Sequence, residues 1–141
     1  MRPILQIEDE ENDVLFLKMA AEKAGIRRPV QVARDGREGI DYLSGNGKFA
    51  NRDQYPLPCL ILLDLKLPQI PGLEVLKFIR SHPQLATIVV VVFTSSDQDR
   101  DVESAYRLGA NSYIVKPANP KELVDIVSLI RGYWFRINRL V

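Results

Sequence analysis

The chain of 141 residues has one cysteine, one histidine and no long apolar segment. The single cysteine excludes a disulfide framework, and the position of Cys59 beside the apolar run LILL predicts a buried, reduced thiol. No run approaches the roughly 20 apolar residues that a membrane-spanning helix needs. The N-terminus enters a strand pattern at once, so we expect no signal peptide. Together these features predict a cytoplasmic protein.

The charge balance is close to neutral, with 19 basic and 18 acidic residues and a formal net charge of +1. A chain of this kind lacks the basic excess of a protein that binds nucleic acid or a membrane surface. Its hydrophobic content of 46% over 141 residues fits one domain with its own core. We therefore expect a single domain over residues 1–141, with protein partners.

Short apolar runs alternate with helical patterns along the whole chain. The runs are ILQI, VQVA, CLILLDL, IVVVVF and SYIV. Three of them are nearly continuous, as in parallel strands that are buried on both faces. Five strands, each followed by a helix, predict an α/β fold with a doubly wound, five-stranded parallel sheet. The helices are expected at 12–25, from Gly36 to about Ser44, around Leu73–Ile79, at about 98–108, and from Leu123 to Trp134.

Polar residues follow four of these strands. Glu8 and Asp9 follow the first strand, Asp64 follows the third, Thr94 and Ser95 end the fourth, and Lys116 ends the fifth. The carboxyl ends of parallel strands meet at one edge of the sheet, where open α/β sheets bind ligands. We therefore expect three carboxylates, a hydroxyl and an amine to converge there.

Three clustered carboxylates repel one another unless a cation is present, and Mg²⁺ suits such a set together with phosphate oxygens. Asp64 is then the expected nucleophile, which forms an aspartyl-phosphate. Lys116 would give a positive charge to one phosphoryl oxygen, and Thr94 would donate a hydrogen bond to another. The predicted chemistry is phosphoacceptance rather than turnover of a separate substrate.

The segments IED, LLDLKLPQIPG, VVFTSS and YIVKP resemble the motifs of the receiver domains of bacterial response regulators. The resemblance covers essentially the whole chain and implies a flavodoxin-like topology. The long loop after the second helix and the lack of an output domain are similar to the single-domain regulators that pair with phytochrome-type kinases. The resemblance thus implies a two-component phosphorelay, a sensor histidine kinase as partner, and Asp64 as the phosphoacceptor.

The resemblance also implies how the metal would be held. Asp9 would be a direct ligand, and Glu8, which replaces the more frequent aspartate, would act mainly through water. The backbone carbonyl of Lys66 would be the third protein ligand beside Asp64. A cis peptide bond between Lys116 and Pro117 would aim the amine into the site.

The resemblance further implies a conformational switch. Thr94 would move toward the phosphoryl group, and Tyr113 would turn into the space that it leaves. From the residues alone, Thr94 is also explained as a β-branched strand residue and Tyr113 as a half-buried sheet aromatic. The fourth helix has few apolar residues and is expected to be loosely held. A homodimer through the fourth helix, fifth strand and fifth helix is one expected output.

Three other functions are possible for a sheet of this kind. A pseudo-receiver would use the same fold as a binding module that needs no phosphorylation, although every expected site residue type is present. A phosphatase or a flavin carrier on a similar sheet is a weaker alternative. A phosphatase of the dehalogenase type needs a carboxylate where Lys66 stands, and a flavin site needs a phosphate-binding loop where Glu8 and Asp9 stand.

Several residues fall outside the expected site. Glu10, Glu11 and Asp13 are assigned to the start of the first helix, where Asn12 or Asp13 would serve as the cap. His82 is expected at the surface. Residues 45–58 form either a tolerated insertion or a binding loop. Trp134 and Phe135 serve either the core or an interface, and Gln6 breaks the first strand without a functional explanation.

Overall fold

The sheet is built from the five expected strands and lies between two layers of helices. The computed structural model describes residues 1–141. The strands are β1 (Ile4–Ile7), β2 (Val30–Ala33), β3 (Leu60–Leu63), β4 (Val89–Thr94) and β5 (Ser112–Val115). The helices are α1 (Glu11–Lys23), α2 (Gly36–Ser44), α3 (Gly72–Ser81), α4 (Asp99–Arg107) and α5 (Pro120–Ile130). The predicted doubly wound α/β fold is confirmed.

All strands are parallel, in the order β2-β1-β3-β4-β5. The order reverses between β1 and β3, because the chain leaves β1 for the edge strand β2 and then returns to the other side of β1. A crevice opens at such a reversal at the carboxyl ends of the strands. Glu8 and Asp64 follow directly on these two neighbouring strands, which places both carboxylates at the crevice.

Side chains alternate between the two faces of each strand and form two cores. Leu5, Ile61 and Val90 pack against α2 and α3, while Ile4, Leu60 and Val91 pack against α1 and α5. The central strands β1, β3 and β4 are buried along their whole length. Their near-continuous apolar runs therefore reflect burial on both faces, as the sequence predicts.

The fourth helix is held weakly, as expected. Ala105 is its only buried residue, and it packs with Leu65 and Val92 on the face that also carries α3. Few buried apolar contacts leave a helix able to shift at low cost. The helix ends before Gly109, which has a φ of +104°, a left-handed conformation that glycine adopts easily and that ends a helix.

The fifth helix ends earlier than predicted. It stops at Ile130 and continues as a π-helical segment, Arg131–Ile137. The wider turn changes which side chains face the sheet. Trp134 and Phe135 are partly buried against the core of α1 and α5, whereas Tyr133 and Ile137 are exposed. Trp134 and Phe135 thus join the core, and their neighbours remain at the surface.

Residues 45–58 form an ordered loop that extends the core. Phe49, in a 3₁₀ turn over Gly47–Phe49, packs with Tyr42 and Tyr55, with ring centroids 5.1–5.9 Å apart. Arg52 donates hydrogen bonds to the carbonyl oxygens of Tyr42, Leu43 and Tyr55. This loop lies beyond the amino end of β3, opposite the crevice, so it supports folding rather than the site.

None of the helices is both long enough and apolar enough to cross a membrane. His82 is exposed, as expected, and its ring stacks on Phe78. Gln6 is 1% exposed, and neither its amide nitrogen nor its oxygen has a hydrogen-bond partner.

Candidate functional site

Glu8, Asp9 and Asp64 form an acidic crevice at the carboxyl ends of β1 and β3. Each of the three can offer a carboxylate oxygen within 4.8 Å of the others. Glu8 and Asp64 are buried, and Asp9 is partly exposed. Oxygen ligands at this spacing are the donor set that a hard divalent cation prefers. The residues that the sequence brings to one edge therefore fit a metal site.

Lys116 provides the positive charge of this crevice. Its Nζ lies 2.6 Å from Oε1 of Glu8, 2.9 Å from Oδ2 of Asp13 and 3.1 Å from Oδ2 of Asp64. Burial alone would lower the pKa of this amine, but its hydrogen bonds to Asp13 and Glu8 and the charge of Asp64 outweigh burial and raise the pKa. Lys116 is thus held as a cation among three carboxylates.

Asp13 is a site residue that the sequence interpretation missed. The sequence pattern predicts a place at the helix start and a capping role for Asp13, but the cap position of α1 is Glu10, which makes no side-chain cap hydrogen bond. The backbone N–H of Glu10 instead donates to Oε2 of Glu8. Asp13 precedes the buried Val14 by one position, so it flanks the face of α1 that meets the sheet. That position near the crevice end was the available signal.

Glu8 is the most buried carboxylate of the site, with its side chain 2% exposed. Removal from water raises the pKa of Glu8 to about 7, and the nearby charge of Asp64 adds to the increase, while the hydrogen bond from Lys116 opposes it. A carboxyl group in this state binds protons near neutral pH. Desolvation therefore works against the negative charge of Glu8 in the metal-free crevice.

The loop after β3 fixes the geometry of Asp64. The backbone N–H of Lys66 donates to Oδ1 of Asp64 at 3.3 Å, and the N–H of Gly72 donates to the carbonyl of Leu65. A Cβ at Gly72 would lie 2.2 Å from the carbonyl oxygen of Asp64, which is closer than any side chain allows. Gly72 therefore lets α3 start directly against the strand end that carries Asp64.

Thr94 lies at the end of β4, and its hydroxyl makes no hydrogen bond. The residue is fully buried, and its Oγ1 has no hydrogen-bond partner. The strand register pairs Thr94 with Val115 and Val92 with Tyr113, so the hydroxyl and the tyrosine ring lie on the same face of the sheet as α4. A buried donor without a partner is costly and is often functional.

Tyr113 is tied to the loop that leads into α4. Its hydroxyl donates to the carbonyl oxygen of Ser96 at 2.8 Å, and the Ser96 hydroxyl donates to Asp101 in the first turn of α4. Burial raises the pKa of the Tyr113 phenol, so it remains a hydrogen-bond donor. The ring thus connects β5 to the start of the weakly held helix.

The expected cis bond between Lys116 and Pro117 is wrong, since the chain has no cis peptide bond. X–Pro bonds favour trans by about 0.5–1 kcal/mol unless the surroundings impose cis. The amine reaches its three carboxylates with the bond in trans. The side chain of Lys116 is therefore long enough to reach the crevice without a cis bond.

Comparison with known proteins identifies one family. Residues 4–128 match the family model described as the response regulator receiver domain. The chain is 37% identical over 139 residues to the probable methanogenesis regulatory protein FilR2 of Methanothrix harundinacea, covering 96% of this chain and 85% of that protein. It is also 37% identical over 131 residues to the response regulator Rcp1 of Synechocystis, covering 93% and 87%.

Solved structures give the same result. The phosphorylated cyanobacterial phytochrome response regulator RcpA superimposes with a TM-score of 0.91 at 37% identity, covering 99% of this chain and 97% of that chain. The Mn²⁺-bound form of Rcp1 superimposes with a TM-score of 0.90 at 34% identity, covering 100% and 99%.

Proposed function

The chain belongs to the response regulator receiver domain family, and on that premise we propose that Asp64 accepts a phosphoryl group from a histidine kinase in a Mg²⁺-dependent reaction. Two-component signalling is the setting of this family. The observation that carries the proposal is the contact of Lys116 with Asp64 at 3.1 Å inside a crevice of three carboxylates.

Asp64 has the properties of a phosphoacceptor. One of its oxygens is held by the N–H of Lys66 and the other by Lys116, so the carboxylate is oriented at the crevice. In the proposed step an oxygen of Asp64 bonds to phosphorus, and the bond from phosphorus to the histidine nitrogen of the kinase breaks. The imidazole leaves with the electron pair and takes up a proton from solvent.

Asp9 and Asp64 are the proposed direct side-chain ligands of Mg²⁺, together with the backbone carbonyl of Lys66, and Glu8 would act mainly through a water molecule on the ion. The mutual proximity of the three carboxylates supports the set. When bound, the ion would neutralise charge on the phosphoryl oxygens. Glu8 has to lose its proton to contribute to the site, and Lys116 has to release carboxylate oxygens that it holds in the metal-free protein.

Thr94 and Tyr113 are the proposed switch. A phosphoryl group on Asp64 would offer the acceptor that the Thr94 hydroxyl lacks. As Thr94 moves inward, Tyr113 would exchange its bond to Ser96 for a more buried position, and the loop before α4 would shift. The small buried contact of α4 supports a change of this kind.

Two surfaces are proposed for partners. The exposed apolar side chains of Phe16 and Met19 lie on α1 beside the crevice, and a sensor kinase of the phytochrome type would dock there. Tyr106 and Val115 are exposed on α4 and β5, which support a homodimer through the α4–β5–α5 face. The domain would act on itself alone, through phosphotransfer and dephosphorylation.

The test is incubation with acetyl phosphate in the presence and absence of Mg²⁺, followed by intact mass spectrometry. The wild type should gain one phosphoryl group only with Mg²⁺, and Asp64→Asn should gain none while keeping its circular dichroism spectrum. No mass gain, under conditions in which another receiver domain reacts, would refute the proposal and favour a pseudo-receiver that binds partners without phosphorylation.

A further inference from the structure

The Lys116 ammonium contacts three carboxylates, which is the number of its N–H donors. The partners come from three parts of the fold: Glu8 from the end of β1, Asp13 from α1 and Asp64 from the end of β3. The Lys116 side chain is 13% exposed. In the metal-free crevice the ammonium is therefore surrounded by carboxylates and mostly shielded from water.

Asp13 differs from the other two partners. Glu8 and Asp64 belong to the three carboxylates that can share a cation, whereas Asp13 does not. A divalent cation at that cluster would neutralise the negative charge of Glu8 and Asp64, and it would repel the ammonium. Asp13, at 2.9 Å from Nζ, is then the carboxylate that still binds Lys116.

We propose that Asp13 is a positioning residue that holds the Lys116 ammonium in the crevice when a divalent cation occupies the cluster of Glu8, Asp9 and Asp64. The inference rests on the proposed function, because it assumes that the acidic crevice binds such a cation. With Asp13 using one N–H, Lys116 keeps two donors that can face a phosphoryl oxygen on Asp64.

The surroundings of Asp13 leave room for the Lys116 ammonium to shift away from the bound cation. A cavity of about 170 Å³ lies between α1 and the segment after β5, and Asp13, Phe16 and Lys116 are among its lining residues. The Asp13 side chain is 35% exposed, compared with 2% for Glu8. The cavity therefore gives the ammonium space on the α1 side of the crevice.

A double-mutant cycle on Mg²⁺ affinity tests the proposal. In the metal-free protein Glu8 and Asp64 compensate for a lost Asp13, but in the metal-bound protein they do not. Asp13→Asn should therefore weaken Mg²⁺ binding, measured by titration calorimetry, about fivefold more in the wild-type background than in the Lys116→Ala background. The direct loss of one negative charge near the metal occurs in both backgrounds and cancels.

A second measurement follows Lys116 itself. At saturating Mg²⁺, acylation of Lys116 by an amine-reactive ester, quantified by peptide mass spectrometry, should be about fivefold faster in Asp13→Asn than in the wild type, because loss of the neighbouring carboxylate favours the neutral, reactive amine. Glu10→Gln removes a charge from an exposed residue next to α1 that does not contact Lys116, so its labelling should match the wild type.

The outcomes separate this inference from the proposed function. Mg²⁺ binding with equal losses in both backgrounds, or unchanged labelling of Lys116 in Asp13→Asn, would overturn the role of Asp13 alone. A wild-type protein that fails to bind Mg²⁺ would overturn the proposed metal site and this inference with it.

Discussion

The ammonium of Lys116 lies 3.1 Å from Oδ2 of Asp64, and this contact joins the ends of two strands that are not neighbours in the sheet. β4 runs between β3 and β5, so the long side chain of Lys116 crosses the end of β4 to reach the carboxylate. The contact offsets part of the negative charge of the acidic crevice before any cation binds.

Replacing Lys116 by alanine should show how far the stability of the metal-free protein depends on this positive charge. The buried Glu8 and Asp64 would lose their cation, and Lys116→Ala should destabilise the metal-free protein by about 3 kcal/mol, as for other broken buried ion pairs. Urea denaturation in a chelator measures the loss, and Mg²⁺ should restore part of it. Lys77→Ala, at an exposed position of α3, should change stability by less than about 0.5 kcal/mol.

Lys116→Ala should also separate phosphorylation from response. The variant should still accept a phosphoryl group at Asp64, but the change in association state, measured by size-exclusion chromatography with light scattering, should be reduced. A normal phosphorylation-dependent shift in Lys116→Ala would contradict the assigned role.

Gln6 should be replaceable with a gain in stability. Its amide is buried in β1 without partners, and burial of an unsatisfied polar group costs about 1–3 kcal/mol. Gln6→Leu should therefore raise the free energy of unfolding by about 1 kcal/mol, measured by urea denaturation. Gln54→Leu, in the exposed part of the 45–58 loop, is the matched control and should be neutral. A destabilised Gln6→Leu would indicate that the amide has a role in the fold.

Thr94 should matter only after phosphorylation. Its Oγ1 has no hydrogen-bond partner in the unphosphorylated protein. Thr94→Val should therefore leave the free energy of unfolding of the unphosphorylated protein unchanged or raise it slightly. The same substitution should remove the phosphorylation-dependent shift in association state, whereas Thr94→Ser should retain most of it. Equal shifts for Thr94→Val and the wild type would exclude the hydroxyl from the switch.

Glu8 should make the stability of the metal-free protein depend on pH. Its pKa in the folded protein is about 7, above the ordinary value of 4.5, so the folded state binds the proton more tightly. The contribution of Glu8 is therefore most favourable below about pH 4.5 and is lost as the pH rises to about 7. Relative to Glu8→Gln, the wild type in a chelator should lose stability over that range. Parallel pH profiles for the two proteins would contradict the raised pKa.

The fold and most of the site follow from the sequence because both depend on strand ends. Buried parallel strands have near-continuous apolar runs, and residues that follow such runs meet at one edge of the sheet. This logic places Glu8, Asp9 and Asp64 together, as found.

The features that the sequence did not reveal depend on packing between distant segments. Asp13 meets Lys116 because α1 packs beside α5 and the segment that leads into it, and local patterns do not encode that contact. The wider turn after Ile130 and the aromatic cluster around Phe49 arise in the same way. The resemblance alone implies a cis bond before Pro117, nothing in the residues themselves requires it, and the structure has none.

The most direct test of the central claim is to locate the phosphoryl group itself. After reaction with acetyl phosphate and Mg²⁺, borohydride reduces an aspartyl-phosphate to homoserine, which peptide mass spectrometry can place in the sequence. We predict homoserine at position 64 alone, only when both reagents are present. An unmodified Asp64, or a reduced product at Glu8, Asp9 or Asp13 instead, would contradict the account.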